Sequence, residues 1–400
     1  MAGVAEKARF YLERSVPQLR EWEQKEIFTK DEIRSIVQRR SDFEHRCLAP
    51  GVKPEDFTAY ANWEISLDAL RAKRCTRLKI RHVSSQHATQ ARVLAIYDRA
   101  VFKRPDSKEL WLEFLAYTAK VKATKRWRKT MTRVLRLMPR DADLWVLAGR
   151  RAAKNGDMGS ARGFFMRGCR FCTADETLWV EYARCELEWL AKVESKKSEP
   201  KRGKKVAAIA GEQVDDDDAM MFTINDDEEE DADEVILPDP EQTKAAKDVF
   251  DKKEAETLEN NPAMDGAIPM AIFDVARKQD FFKGDSGERF FDLFASFSKV
   301  SVQSKLLQHV LEALQADFPQ SPATWSCYIR RPLVGVSPYT ADFPRGLRDV
   351  LARLEEGLAA TSDAAELKTK MVGWADAILA LADLDESIRA VLEHVKTSMA

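Results

Sequence analysis

The chain has 400 residues, 44% of them apolar and only 16 of them glycine, against an average glycine usage of roughly 7%. This composition excludes global disorder and argues against strand-rich folds, which need more turn glycine. The net charge of −2 hides a segregation: residues 1–205 carry 45 Lys/Arg against 27 Asp/Glu, residues 206–243 carry 15 acidic groups and no basic one, and residues 244–400 carry 19 basic and 24 acidic. No stretch approaches the roughly 18 to 20 apolar residues of a membrane span, and the first 25 residues hold no apolar signal core. Six cysteines in no paired framework agree with a reducing compartment. A soluble intracellular protein without membrane contact is expected.

Residues 1–55 read as an N-terminal helical segment. A first array follows over 56–194. Asp56-Phe57-Thr58-Ala59-Tyr60-Ala61-Asn62-Trp63-Glu64 looks like the first helix of a hairpin, and Ala91 to Val101 like its partner. Leu110-Trp111 then recurs as Leu144-Trp145 and Leu178-Trp179 at a constant step, the roughly 34 residues of a helical-hairpin repeat. Tyr97, Met131 and Phe165 keep the same step, as do Arg99, Arg133 and Arg167, and Pro105 is followed by Pro139, with Thr173 in the third place. Five columns in one register define a repeat.

Each unit reads as two helices. Trp111, Phe114, Leu115 and Tyr117 make one apolar stripe, and Met131, Val134, Leu135 and Met138 another. Pro139 stops the second helix, Asp141 or Asp143 caps the next, and Lys154-Asn155-Gly156-Asp157 separates the helices of the following unit. Such hairpins bury their faces only by stacking, so Trp111, Trp145, Trp179, Tyr97 and Phe165 are expected in the repeat core.

Residues 195–262 break the pattern. Lys201-Arg202-Gly203-Lys204-Lys205 is a candidate nuclear-import signal or plain linker charge. The runs Asp215 to Asp218 and Asp226 to Asp231 predict a disordered acidic loop with one apolar island, Val235-Ile236-Leu237-Pro238. A second array and cap are expected over 263–400, with helices near 268–276, 289–300, 301–318, 323–331, 346–359, 364–381 and 384–396.

The pattern Trp179-x-x-Tyr182-x-x-x-Glu186, echoed by Phe57-x-x-Tyr60-x-x-x-Glu64 and joined by Tyr97-Asp98-Arg99-Ala100, resembles the HAT (half-a-tetratricopeptide) repeat. Trp145 departs from it, with Ala148 and Ala152 in place of the aromatic and the acid. The order Phe10-Tyr11-Leu12-Glu13, Ile27-Phe28-Thr29-Lys30-Asp31-Glu32-Ile33 and Arg39-Arg40-Ser41-Asp42-Phe43-Glu44 is similar to the N-terminal signature of the U-three small nucleolar RNA-associated HAT-repeat family. The fold expected is therefore an all-α HAT helical-hairpin solenoid, an α-α superhelix. The resemblance implies a subunit of the UtpB subcomplex of the small-subunit processome, acting in pre-rRNA processing and 18S rRNA maturation in the nucleolus of the nucleus. Its implied partners are β-propeller subunits, pre-rRNA and the guide snoRNA. The alternative is a HAT scaffold of splicing or mRNA 3′-end formation.

No catalytic constellation, cofactor motif or metal set emerges. Gly284-x-x-Gly287 lacks the lysine and strand of a phosphate loop, and Cys169-Arg170-Phe171-Cys172 has no second pair. Two acid-free basic clusters stand out instead: Arg71, Lys73, Arg74, Arg77, Lys79 and Arg81, and then Lys122, Lys125, Arg126, Arg128 and Lys129 around Trp127. Such clusters suit RNA phosphates or an acidic partner, and the bland alternative is a solvated helix face.

Overall fold

A computed structural model describes residues 2–85, 87–198, 265–381 and 384–399. The chain folds as two compact units, residues 1–139 and 140–400. The first contains α1 (Ala2–Glu13), α2 (Val16–Gln24), α3 (Lys30–Leu48), α4 (Pro54–Arg77), α5 (Ala88–Lys103), α6 (Lys108–Lys120) and α7 (Thr124–Leu137). The second contains α8 (Ala142–Lys154), α9 (Met158–Phe171), α10 (Glu176–Ser198), α11 (Ala267–Ala276), α12 (Gly284–Ala295), α13 (Gln303–Asp317), α14 (Pro322–Arg330), α15 (Phe343–Ala360), α16 (Ala364–Leu379) and α17 (Glu386–Met399). The described residues form helices and turns, with no strand among them.

The repeat register governs where helices start and stop. α6, α8 and α10 begin at 108, 142 and 176, and α7 and α9 at 124 and 158. The residues that close α5, α7 and α9 are Arg104, Met138 and Cys172, with φ of −129°, −125° and −112°. Each donates its N–H to the carbonyl four residues back, of Ala100, Val134 and Gly168. A following proline disfavours the helical region for these residues, and Pro105 and Pro139 act in that way. Cys172 adopts the same geometry before Thr173. Phe318, ahead of Pro319, repeats it with φ −133° and a bond to the carbonyl of Leu314. Trp325 stands six residues beyond Pro319, as Trp111 and Trp145 stand beyond Pro105 and Pro139.

Trp111, Trp145, Trp179, Tyr97 and Phe165 are all buried. The arginine column is held by rings: the Arg99 guanidinium lies 4.0 Å from the ring centre of Tyr11, Arg133 5.6 Å from Trp111 and Arg167 5.2 Å from Phe164.

Unit 1 is tied together by an ionic layer. Arg40 Nε and Nη2 on α3 donate to both oxygens of Glu64 on α4 at 2.7 and 3.0 Å, and both side chains are fully buried. Four residues along α3, Glu44 accepts from the Tyr60 hydroxyl at 3.0 Å and from both terminal nitrogens of Arg99 on α5 at 2.7 and 3.0 Å. Burial, with Glu64 and Glu44 nearby, pushes the Tyr60 phenol far up, so it stays a donor. Arg92 on α5 lies 3.9 Å from Glu64 and donates to Gln18, whose amide donates to Thr89.

The same device recurs in unit 2. Arg162 on α9 donates to both oxygens of Glu186 on α10 at 2.7 and 2.8 Å, with the same sequence separation as Arg40 and Glu64. Phe165, three residues after that arginine, stacks on Tyr182 at 5.1 Å and 6°, as Phe43 stacks on Tyr60 at 5.0 Å and 6°. An Arg-x-x-Phe on one helix therefore meets a Tyr-x-x-x-Glu on the next. Tyr97 on Phe114 supplies the ring pair in the repeat between, at 5.6 Å and 14°, where buried Thr118 replaces the acid.

α10 packs against α11 and α12, so the hairpin closes across residues 199–264. Glu194 accepts from the Ser301 N–H and hydroxyl, and Arg289 donates to Glu176. α10 runs to Ser198, past the boundary drawn at residue 194. The Lys201–Lys205 run, the acidic runs and the Val235–Pro238 island lie outside the described residues.

The helix expected over 289–300 sits earlier, at Gly284–Ala295. A Cβ at Gly287 would come within 2.3 Å of Leu314, and one at Gly284 within 2.4 Å of Ser321 Oγ. These glycines serve close packing of α12 on α13 and α14. Ser296 ends the helix by donating its hydroxyl to the carbonyl of Leu293.

Replacing Glu64 by Gln should strand the buried charge of Arg40 and destabilise the protein by about 3–5 kcal/mol. The double change Arg40→Met with Glu64→Leu should cost far less. Urea unfolding midpoints of the three proteins compare these outcomes, and equal losses would contradict the assigned pairing.

Candidate functional site

The basic clusters lie on the end of α4, the loop 78–87, the α6–α7 turn and α7 itself. Neighbouring helices joined by short loops run antiparallel, which brings the C termini of α4 and α6 to one edge of unit 1. Both helices end in the same way. Lys79 and Lys122 take left-handed backbone conformations, with φ of 56° and 61°. Behind them, the Ile80 N–H reaches the carbonyl of Cys75 and the Ala123 N–H that of Thr118, each at 3.0 Å. Gly156, one repeat after Lys122, fills the equivalent place with φ 88°. An L residue is disfavoured in that conformation, yet both positions here present lysine to solvent.

The loop after α4 is held from below by Glu21. Its carboxylate accepts from the backbone N–H of Ser84 and Ser85 at 2.6 and 2.9 Å and from Lys25 at 2.7 Å. Lys25 also donates to the carbonyl of His82 at 2.8 Å. Burial works against the charged Glu21, but these donors outweigh it and hold its carboxyl down at about 2.

The eleven candidate cations separate once placed. Arg71 is buried and donates to Asp68 at 2.8 Å. It shares a face of α4 with Glu64, Leu67 and Cys75, which points inward, and so it leaves the candidate surface. Arg74 is half-buried and donates to both oxygens of Glu32 at 2.7 and 2.8 Å and to the carbonyl of Ile27. These Arg74 bonds, with the Thr29 N–H, hold Glu32 at about 2. Arg126 is paired with Asp98 on α5. Lys73, Arg77, Lys79, Arg81, Lys122, Lys125, Arg128 and Lys129 are exposed and form no ion pair among the described residues. Arg133 and Arg136 were absent from the expected set, yet they are exposed on α7. The helical period of 3.6 applied to the acid-free stretch 114–140 points to them.

The other singled-out groups are structural here. Cys169 and Cys172 are buried and in no disulfide, and burial pushes Cys169 up to about 12 and Cys172 up as well. Cys47 is buried and His45 exposed. Among the described residues no three His, Cys, Asp or Glu side chains are grouped to hold a metal ion, and no helix is long and apolar enough to cross a membrane.

Residues 12–97 match the family described as U3 small nucleolar RNA-associated protein 6. Over 193 residues the chain is 35% identical to U3 small nucleolar RNA-associated protein 6 of Schizosaccharomyces pombe, which covers 48% of this chain and 40% of that protein. It is 29% identical over 199 residues to the homolog of Homo sapiens, covering 49% and 33%. It is 22% identical over 312 residues to the homolog of Dictyostelium discoideum, covering 75% and 48%. The chain thus spans between a third and a half of the length of these relatives. The matched segment contains Arg40, Glu44, Tyr60, Glu64 and Arg92.

Reversing charge at Lys73 and Arg77 should change stability by under about 0.5 kcal/mol each, whereas Arg71→Glu should destabilise strongly by burying a carboxylate beside Asp68. Thermal melting separates the two classes.

The carboxyls of Glu21 and Glu32 are held near 2 in the fold, against an ordinary 4.5. Their contribution to stability is complete above about pH 4.5 and is lost as pH falls toward 2. Melting temperature should decline across that window. An Arg74→Ala variant should show a shallower decline, because Glu32 then titrates near its ordinary value.

Proposed function

We propose that the chain is a non-catalytic HAT-repeat scaffold of the small-subunit processome, holding protein partners and pre-ribosomal RNA during 18S rRNA maturation in the nucleolus. The match of residues 12–97 to the U3 small nucleolar RNA-associated protein 6 family carries this reading. The matched segment spans Arg40, Glu44, Tyr60, Glu64 and Arg92 of the ionic layer in unit 1, with Arg99 just beyond it. The names of the relatives associate those proteins with the U3 small nucleolar RNA.

The exposed cations of unit 1 add a physical reason for RNA or an acidic partner at this surface. The expected partners are β-propeller subunits of the UtpB subcomplex, together with pre-rRNA and its guide snoRNA. Stacked hairpins offer extended surfaces suited to such partners. The reading assigns the chain no cofactor and no reaction.

Cross-linking in cells, followed by identification of co-purified RNA and protein, tests it. Recovery of U3 snoRNA or pre-rRNA together with propeller subunits is the expected result. Recovery of spliceosomal or mRNA 3′-end factors in their place would move the chain to another RNA-processing machine. RNA recovered without any stable protein partner would remove the scaffold role.

A further inference from the structure

α7 differs from every other helix of unit 1 in the chemistry of its solvent face. Its exposed residues are Thr124, Lys125, Arg128, Lys129, Thr132, Arg133, Arg136 and Leu137. From Lys125 to Arg136 they fall at i, i+3, i+4, i+7, i+8 and i+11, which is one continuous stripe about 16 Å long. Five of those six side chains are cationic and the sixth is threonine. The buried face holds Trp127, Met131, Val134 and Leu135.

Helix formation gives no reason for the stripe from Lys125 to Arg133. Lys125 and Lys129, and Lys129 and Arg133, are like charges one turn apart, which opposes the helix. Lys125 also lies at an end where the helix dipole favours carboxylates, and the first turn carries none. Among the described residues the ion pair of α7 is Arg126 with Asp98, off the stripe, and the Asp98 carboxylate also feels Lys129 and Arg133 without pairing with them. Arg136 lies in the last turn of α7, as Arg74 and Arg77 lie in the last turn of α4, where cations complement the dipole and the terminal carbonyls; the four stripe cations before Arg136 have no such reason.

We propose that the α7 stripe, Lys125, Arg128, Lys129, Arg133 and Arg136, is a docking surface for the phosphodiester backbone of RNA. The proposal rests on the reading above that the chain works within an RNA-processing particle. The stripe offers no large apolar side chain between Lys125 and Arg136, whereas protein partners are held mainly by buried aromatic and apolar anchors. A polyanionic backbone needs only a row of cations and the release of its counterions. The stripe also exceeds by several times the roughly 3.4 Å advance per phosphate along a duplex strand, so it can meet consecutive phosphates. Contacts of this kind position RNA without reading its sequence.

The test uses the full chain and a fluorescent 20-nucleotide uridine homopolymer, with an RNA hairpin duplex as a second probe to separate single-stranded from double-stranded backbone. Binding is titrated at several salt concentrations. Arg128→Glu with Arg133→Glu should lower affinity by at least about tenfold and reduce the salt slope for the homopolymer by about 1.4, two contacts at about 0.7 each. The neutral pair Arg128→Gln with Arg133→Gln should show the same direction and keeps the result readable should charge reversal disturb folding. Lys125→Glu should weaken RNA binding while the melting temperature holds or rises, because a carboxylate then sits four residues before Lys129.

Affinity and slope unchanged in the stripe variants, with Lys73→Glu and Arg77→Glu losing binding instead, would overturn the proposal and leave the processome reading standing. Loss of a protein partner with RNA binding intact would overturn it in favour of an acidic protein surface. Failure of the wild-type chain to bind either probe would also overturn it, while co-purification with propeller subunits would still support the scaffold role.

Discussion

A guanidinium with no access to water must find a carboxylate in one geometry, and Arg40 finds Glu64 with two bonds from a neighbouring helix. Desolvation cancels much of what such a pair gains, so its consequence is chiefly geometric. α3 cannot slide or rotate on α4 without breaking two short hydrogen bonds in a dry interior. Glu44, one turn along, extends the condition to α5 through Arg99 and to the ring plane of Tyr60 through its hydroxyl. The apolar stripes give the helices a reason to associate, and the ionic layer selects the register in which they do so.

The recurrence of this device in unit 2 explains why it reads as a repeat although few residues are identical. Arg162 with Glu186, and Phe165 on Tyr182, reproduce both the spacing and the ring geometry of Arg40 with Glu64 and Phe43 on Tyr60. Between these, one column or another is filled differently. Thr118 stands in the acid column with its hydroxyl returned to the carbonyls of Phe114 and Leu115. A hydroxyl satisfied within its own helix carries no unpaired charge, so that repeat can dispense with the arginine. In the next repeat Ala152 occupies the acid column, and Arg128, which stands to it in sequence as Arg40 stands to Glu64, is exposed. Repeats thus vary in polar content while keeping the helix-closing geometry seen at Arg104, Met138, Cys172 and Phe318.

The two basic clusters show how the same residue type acquires different meanings. Arg71 and Arg74 are spent within the fold, on Asp68 and Glu32. Lys79 and Lys122 sit where the chain must turn left-handed. On α7, Lys125, Lys129 and Arg133 are like charges one turn apart, Lys125 also opposes its helix end, and the helix itself holds no acid to meet them. A solvent-facing row of like charges invites an anionic partner, and its lack of apolar anchors suits a phosphate backbone.

Much of this was legible in the chain itself. The constant repeat spacing located Trp111, Trp145 and Trp179, the proline stops and the turn at Gly156, because helix periodicity and backbone sterics act over a few residues and leave a pattern in order. The Tyr-x-x-x-Glu half of the ionic motif was legible through its resemblance to the HAT repeat. Its other half, Arg-x-x-Phe, was not, since nothing local marks an arginine that will be buried against the next helix of the chain. Nor did local pattern distinguish Arg71 from Lys73, two residues apart in one basic run. Local sterics and periodicity, written in the sequence, determined the helices and their repeat; tertiary packing alone decided which charges found partners inside the fold and which were left to face solvent.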